Sequence, residues 1–300
     1  MPKFGRVLTA MVTPFTDSGD LDLEEASRLA RWLVENGNDG LVIAGTTGES
    51  PTLTHDEQIA LIEAVVEAVD VPVIAGTGSN DTKAAIELTK RAEKVGAAGI
   101  LSVTPYYNRP PQSGLTAHFS RIAEATELPV MLYDIPVRSG KKIETKTLLE
   151  LAHSVSNIVA LKDAAGDPGE TAVFLSQAPE NFEVYSGDDS LNLALLAIGA
   201  VGVIGVATHW TGKEHQNLVK ALFDGEIEQA QKINASLQPS FAYESTIDAP
   251  NPIPAKVMMN ILGFNVGLGR PPMDVIPEGL QELAKSVVSQ TLIGKSMEIS

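Results

Sequence analysis

A lysine closes the short apolar run Asn157-Ile158-Val159-Ala160-Leu161-Lys162-Asp163. Branched apolar residues in a run of this length read as a buried parallel strand. Side chains alternate along a strand, so Lys162 is predicted to share a face with Ala160 and Ile158. An ammonium at the rim of an apolar interior has its charged form disfavoured and its pKa lowered. Such a lysine is a nucleophile able to trap a carbonyl as a Schiff base. The same run also fits a strand that simply ends at solvent, so the reading depends on partners. Tyr133 is a candidate acid/base, since a phenol near a cationic lysine or iminium has its pKa drawn down. Thr46 and Tyr107 carry hydroxyls that both donate and accept, as a proton relay needs. Arg138 offers a planar fork suited to a carboxylate. Each has a plain structural reading by itself; together they point to Schiff-base carbon–carbon chemistry on a keto acid.

These residues must be carried by strand ends. Eight apolar runs stand out: Val7–Val12, Gly40–Ala44, Val71–Ala75, Gly99–Val103, Pro129–Tyr133, Ile158–Lys162, Phe182–Ser186 and Gly202–Val206. Helical patterns lie between them, at Leu23–Asn36, Gln58–Val69, Thr82–Val95, Gly114–Thr126, Thr145–Ser154, Glu170–Ala178 and Ser190–Ile198. Thr54-His55-Asp56-Glu57 has the form of a capping box. Ser190–Ile198 is apolar nearly all round, the pattern of a helix wedged between a sheet and other helices. Strand starts about 30 residues apart, shortening to about 20, give one βα unit per period and predict an α/β fold, a (β/α)8 TIM barrel. A doubly wound sheet is the alternative, but Val12-Thr13-Pro14-Phe15 is no nucleotide loop. The barrel is expected over residues 1–224, its last helix near Gly212–Leu222. Residues 225–300 are expected to add helices at Glu226–Gln238, Pro254–Leu262 and Pro277–Gln290, packed on the barrel. In such barrels the chemistry collects at the C-terminal strand ends, where Thr46, Tyr107, Tyr133, Arg138 and Lys162 all fall.

Other chemistries fit less well. The five histidines, His55, His118, His153, His209 and His215, show no ligand spacing, so no metal is expected. Gly76-Thr77-Gly78-Ser79-Asn80-Asp81 has Asp81 where a dinucleotide loop needs its third glycine. Gly45-Thr46-Thr47-Gly48 lacks the remainder of a phosphate site, and Asp188-Asp189 reads as a turn and helix cap. No organic cofactor is implied. The absence of cysteine removes disulfides and thiolate chemistry. A net charge of −16 disfavours nucleic acid. No signal-peptide pattern or long apolar stretch is present, so the expectation is a cytoplasmic protein with no membrane span.

The chain resembles the dihydrodipicolinate synthase family, in the superfamily that also holds N-acetylneuraminate lyase. The motifs that carry this are Gly45-Thr46-Thr47-Gly48-Glu49-Ser50, Thr104-Pro105-Tyr106-Tyr107-Asn108-Arg109-Pro110, Tyr133-Asp134-Ile135-Pro136-Val137-Arg138, Leu161-Lys162-Asp163, Ser186-Gly187-Asp188-Asp189 and Pro250-Asn251-Pro252-Ile253-Pro254. The resemblance implies that Lys162 forms the imine with pyruvate and that Tyr133 moves protons, backed by Thr46 and Tyr107. Thr47 and the Ile204 backbone would hold pyruvate, with Gly187 also among the substrate-binding positions. Arg138 would engage the carboxylate of L-aspartate 4-semialdehyde. The family pattern brings the residue matching Tyr107 across a tight dimer interface, with two dimers forming a homotetramer.

One site departs from the pattern. Ser50, His55, Asn80 and Tyr106 match an L-lysine effector site, but Gln58 and Ala84 stand where sensitive forms carry a histidine and a glutamate. Loss of the carboxylate partner predicts weak or absent inhibition. A Schiff-base lyase for sialic acid or a 2-keto-3-deoxy acid shares Lys162 and Tyr133 but does not need Arg138. A catalytically silent barrel needs none of these residues.

Overall fold

The structure is a computed structural model of the 300-residue chain, and it describes residues 2–290. The last ten residues of the expected C-terminal region lie outside the described residues. Eight parallel strands close into a barrel in sequence order: β1 Val7–Ala10, β2 Gly40–Ile43, β3 Val73–Gly76, β4 Gly99–Val103, β5 Val130–Asp134, β6 Ile158–Asp163, β7 Glu183–Ser186 and β8 Gly202–Gly205. Closure is made by β8 pairing with β1 (Ile204 opposite Leu8).

The outer helices are α1 Leu23–Glu35, α2 His55–Ala68, α3 Thr82–Lys94, α4 Gln112–Ala123, a one-turn α5 Pro136–Ser139, α6 Thr145–Ser154, α7 Pro168–Leu175, α8 Asn192–Ala197 and α9 Thr208–Phe223. Three more follow: α10 Ile227–Tyr243, α11 Ile253–Ile261 and α12 Leu280–Gln290. The capping box forms as read, with the Thr54 hydroxyl accepting from the Glu57 amide and the Glu57 carboxylate accepting from the Thr54 amide. It starts α2 at His55, three residues before the predicted start, because both halves of the box satisfy first-turn amides.

The residues sort into two apolar layers. Leu8, Ala10, Val42, Ile74, Leu101, Met131, Ala160 and Ile204 point into the barrel, with Phe4 and Tyr185 among them. The alternate residues, such as Leu41, Ile43, Ile100 and Leu132, pack outward against the helices. The period of two therefore decides which strand residues can reach the site at the barrel mouth.

Two sequence expectations fail for local reasons. Ile158 does not share a face with Lys162: it belongs to the outer layer, while Ala160 is inside. The pairing of β5 and β6 slips between Val130 and Met131, which face Ile158 and Ala160 respectively. A bulge at Val159 thus reverses the parity of the strand before its catalytic end. The segment read as Ser190–Ile198 is a 3₁₀ turn, Asp189–Leu191, followed by the six-residue α8. Its Ala197 and Ile198 remain exposed, so this helix is covered on one side only.

Candidate active site

Lys162 and Tyr133 face each other across the register of β6 and β5, as paired residues on the inner side. The Lys162 ammonium nitrogen lies 4.5 Å from the centre of the Tyr133 ring. Both side chains are almost wholly buried, at 5% and 4% exposure. Burial pulls the Lys162 pKa down to about 8, with the Asp189 charge opposing the fall and the Arg138 cation adding to it. A much larger fraction of neutral amine is therefore present near pH 8 than for a solvated lysine.

The phenol behaves differently from the sequence expectation. Burial pushes Tyr133 up to about 12, and a hydrogen bond with Thr46 and the Arg138 charge only partly offset it. Lys162 sits over the ring face rather than beside the oxygen, so its charge does little to favour a phenolate. The neutral phenol is the resting form.

Gly187, after β7, makes room for the lysine stem. A Cβ there would lie 2.8 Å from Lys162 Cγ and 3.0 Å from Cε, closer than packed carbons sit. The Gly187 amide donates to the Asp163 carbonyl at 2.7 Å, which ties this close approach to the end of β6. Ile204 is fully buried in the barrel interior, one strand round from Gly187.

Thr46 and Thr47 sit in the loop after β2, whose flanks Ala44 and Glu49 both adopt left-handed backbone (φ 56° and 57°). Such backbone is costly for non-glycine residues and persists only where contacts fix it. The Thr13 hydroxyl donates to the Gly48 carbonyl at 2.6 Å. Glu49 forms a buried ion pair with Lys256 of α11 at 2.7 Å and accepts from the Arg270 amide at 2.9 Å. Lys256 and Arg270 both lie over the Phe15 ring, at 4.1 and 4.4 Å. The C-terminal segment thus clamps the threonine loop.

A cavity of about 340 Å³ opens above this loop, with a largely apolar wall that includes Thr46, Ser50, Val103, Tyr106, Arg138 and Asn251. Lys162 and Tyr133 are not on its wall; Thr46, which is, connects them to it through its bond to the phenol. Arg138, on α5, donates to the Asn251 carbonyl at 3.1 Å. The Asn251 amide in turn donates to the Thr47 hydroxyl at 2.9 Å, while its Oδ1 is buried without a partner. Asn251 therefore joins the two substrate-binding candidates. The sequence reading quoted it within Pro250–Pro254 but gave it no task, and its distance of 204 positions from Thr47 leaves no local signal.

Tyr107 is not brought to this group. It stands 91% exposed on a tight loop, with φ of 71°. The effector candidates gather loosely nearby. Ser50 and Tyr106 line the cavity, Asn80 donates to the Tyr106 carbonyl at 3.1 Å, and His55 is exposed at the start of α2. Gln58 is buried and spends its amide on the Ser50 carbonyl at 2.9 Å, and Ala84 on α3 offers no polar group. Asp188 and Asp189 form the turn and cap as read, and Asp189 is in addition buried at 2% and accepts from the Val206 and Ala207 amides beyond β8. The histidines remain structural in their bonding: His209 accepts from the Val12 amide at 3.1 Å, so its other nitrogen donates to the Val206 carbonyl at 2.7 Å.

A closed (β/α)8 barrel with a buried, low-pKa lysine over a tyrosine at its C-terminal face has the make-up of a Schiff-base enzyme. Within that class the chain belongs to the Dihydrodipicolinate synthetase family, whose profile matches residues 3–291. It is 50% identical over 273 residues to a 4-hydroxy-tetrahydrodipicolinate synthase of Moorella thermoacetica, covering 90% of this chain and 92% of the relative. The enzyme of that name from Bacillus subtilis is 44% identical over 290 residues, covering 96% and 99%. Among solved structures, a dihydrodipicolinate synthase of Bacillus anthracis superposes with a TM-score of 0.92 at 44% identity, covering 96% of this chain and 99% of that one. The enzyme from Cyanidioschyzon merolae with lysine bound gives 0.94 at 42% identity, covering 98% and 99%.

Proposed function

We propose that this protein condenses pyruvate with L-aspartate 4-semialdehyde through an imine on Lys162, giving 4-hydroxy-tetrahydrodipicolinate, the first committed step of the diaminopimelate and L-lysine pathway. The observation that carries the chemistry is the buried Lys162 amine, lowered to about 8, over the Tyr133 ring. Family membership and Arg138 favour this reaction over cleavage of a sugar keto acid.

The steps follow from the protonation states. Neutral Lys162 attacks the pyruvate ketone carbon, and the resulting hydroxyl leaves as water after taking a proton from the Tyr133 phenol, which rests protonated at about 12. The phenolate so formed lies beside an iminium, whose positive charge stabilises it. It then removes a methyl proton, leaving an enamine. The enamine carbon attacks the aldehyde, and the new alkoxide takes that proton back through Thr46. The amino group of the second substrate closes on the imine carbon and displaces Lys162. Thr47 and the Ile204 backbone hold the pyruvate carboxylate, and Gly187 gives the lysine its path. Arg138 holds the second carboxylate.

Tyr107 completes the relay from a neighbouring subunit, in a homotetramer built as a dimer of dimers. No helix among the described residues is long and apolar enough to cross a membrane; the reading places the enzyme in the cytoplasm. Assays with the two substrates are expected to yield the cyclic product, with no cleavage of sialic acid or 2-keto-3-deoxy sugar acids. Cleavage of a sugar acid without condensation would reject the reading.

A further inference from the structure

Beside the ends of β7 and β8 lie two carboxyls that the reaction above does not use. Asp189 Oδ2 accepts from the Val206 amide at 2.7 Å and the Ala207 amide at 2.9 Å. Its Oδ1 accepts from the Asn192 side chain at 2.9 Å and faces His215 Nε2 at 3.6 Å. Glu244, the cap residue at the C-terminus of α10, sets its Oε2 3.0 Å from the same Ala207 amide. Glu244 is half-buried, with its carboxyl turned to the Ala207 amide and to Asp189.

Two carboxylate oxygens therefore converge on one amide hydrogen and on each other. Ionised carboxylates only accept, so a bond between the two requires that one hold a proton. Asp189 takes donors from Val206, Ala207 and Asn192, and is the natural anion. Glu244 has only the shared Ala207 amide, and is the natural acid. The pKa directions agree. Burial, then the Asp189 charge, pushes Glu244 well above the carboxylate range. Burial opposes ionisation of Asp189 too, but the nearby His215 ring, Glu244 and the Ala207 amide outweigh it and hold it below that range.

The pair bears on the lysine. The backbone the carboxyls hold, Val206–Ala207, directly follows β8 and its Ile204, and a side chain at Gly205 would collide with Asp189. Asp189 supplies the negative charge that acts on Lys162. The other ionisable groups around them are Asp188 in the same turn, Arg138 after β5, and His209 and His215 on α9. His209 is fixed neutral by the Val12 amide it accepts, so it adds no charge.

We propose that Glu244 is a positioning residue of the Schiff-base reaction: as a neutral acid it donates to Asp189, holds the turn after β8, and keeps a single negative charge facing Lys162. This rests on the imine at Lys162 proposed above.

The test follows borohydride-trapped pyruvate adduct at Lys162 as a function of pH on either side of 8, in wild type, Glu244→Gln and Glu244→Ala. Glutamine replaces a neutral side chain by a neutral donor, so the pH midpoint of imine formation is expected to stay at the wild-type value. Alanine removes the donor to Asp189 and is expected to lower kcat by about 10- to 10²-fold, the scale of a misplaced reacting group. Isotope-edited difference infrared spectroscopy of the unliganded protein is expected to show a protonated carboxyl band that Glu244→Gln lacks. A midpoint that falls by about half a unit or more in Glu244→Gln would mean a negative charge had been removed, and overturns the proposal. So does a wild-type kcat in Glu244→Ala, or the absence of the band. If Glu244→Ala does not fold, the glutamine midpoint and the band decide. A wild type with no adduct but with the band rejects the imine reading and leaves Glu244 an acid without that role, which also overturns the proposal.

Discussion

At Lys162 a charge is removed from water and only partly compensated. The inner face of β6 supplies the desolvation, and Gly187 supplies the volume through which the aliphatic stem reaches the mouth. The first effect was legible in the sequence, from an apolar run ending in lysine. The second was not, because nothing local to Gly187 announces that a lysine from the neighbouring strand fills the space a Cβ would need. Adding one methyl group there, Gly187→Ala, is expected to displace the amine and lower kcat by about 10²-fold, with the melting temperature close to wild type. A steady-state assay beside a thermal melt checks this. Tyr133 teaches the opposite lesson. Its candidacy as a proton carrier could be read from its place at a strand end, but its pKa direction could not. That depends on how much water is excluded and on the Lys162 nitrogen lying over the ring rather than beside the hydroxyl, both products of packing.

At the scale of elements, the periodicity of two and the βα spacing located all eight strands, and the capping box ahead of α2 was read, though the helix starts three residues earlier than predicted. What escaped was any feature made by an exception to a period. The bulge at Val159 turns Ile158 outward, and the left-handed residues Ala44 and Glu49 shape the threonine loop. Contacts from far along the chain escaped as well: Lys256 on Glu49, and Asn251 between Thr47 and Arg138. Helices α2 and α3 also carry the departure at the candidate effector site. Gln58 is committed to the Ser50 carbonyl, and Ala84 presents only a methyl group where a carboxylate would meet an ammonium. Adding L-lysine to a steady-state assay is therefore expected to inhibit weakly or not at all. Half-maximal inhibition at submillimolar L-lysine would contradict this.

For the molecule as a whole, one chain brings Lys162, Tyr133 and Thr46 together and leaves the candidate Tyr107 apart from them. Tyr107 is 91% exposed on a loop with two left-handed residues, Tyr107 and Arg109, so the backbone is held in shape while the ring stands open among the described residues. A second copy supplying this hydroxyl accounts for both facts. Subunit arrangement was open to the sequence only by resemblance, because composition and periodicity describe a chain and not its neighbours. Sedimentation velocity is expected to give a tetramer, and a variant at the Tyr107 loop that yields folded monomers is expected to lose about 10²-fold or more in kcat. Full activity in folded monomers would remove Tyr107 from the relay.

The central claim is that one buried amine, Lys162, captures pyruvate. Incubation with pyruvate, reduction with borohydride and peptide mapping by mass spectrometry tests it most directly. The expected result is a single pyruvate-derived adduct on Lys162, rising as pH passes through about 8 and absent from Lys162→Ala. An unmodified Lys162, or an adduct on another lysine alone, would contradict the account.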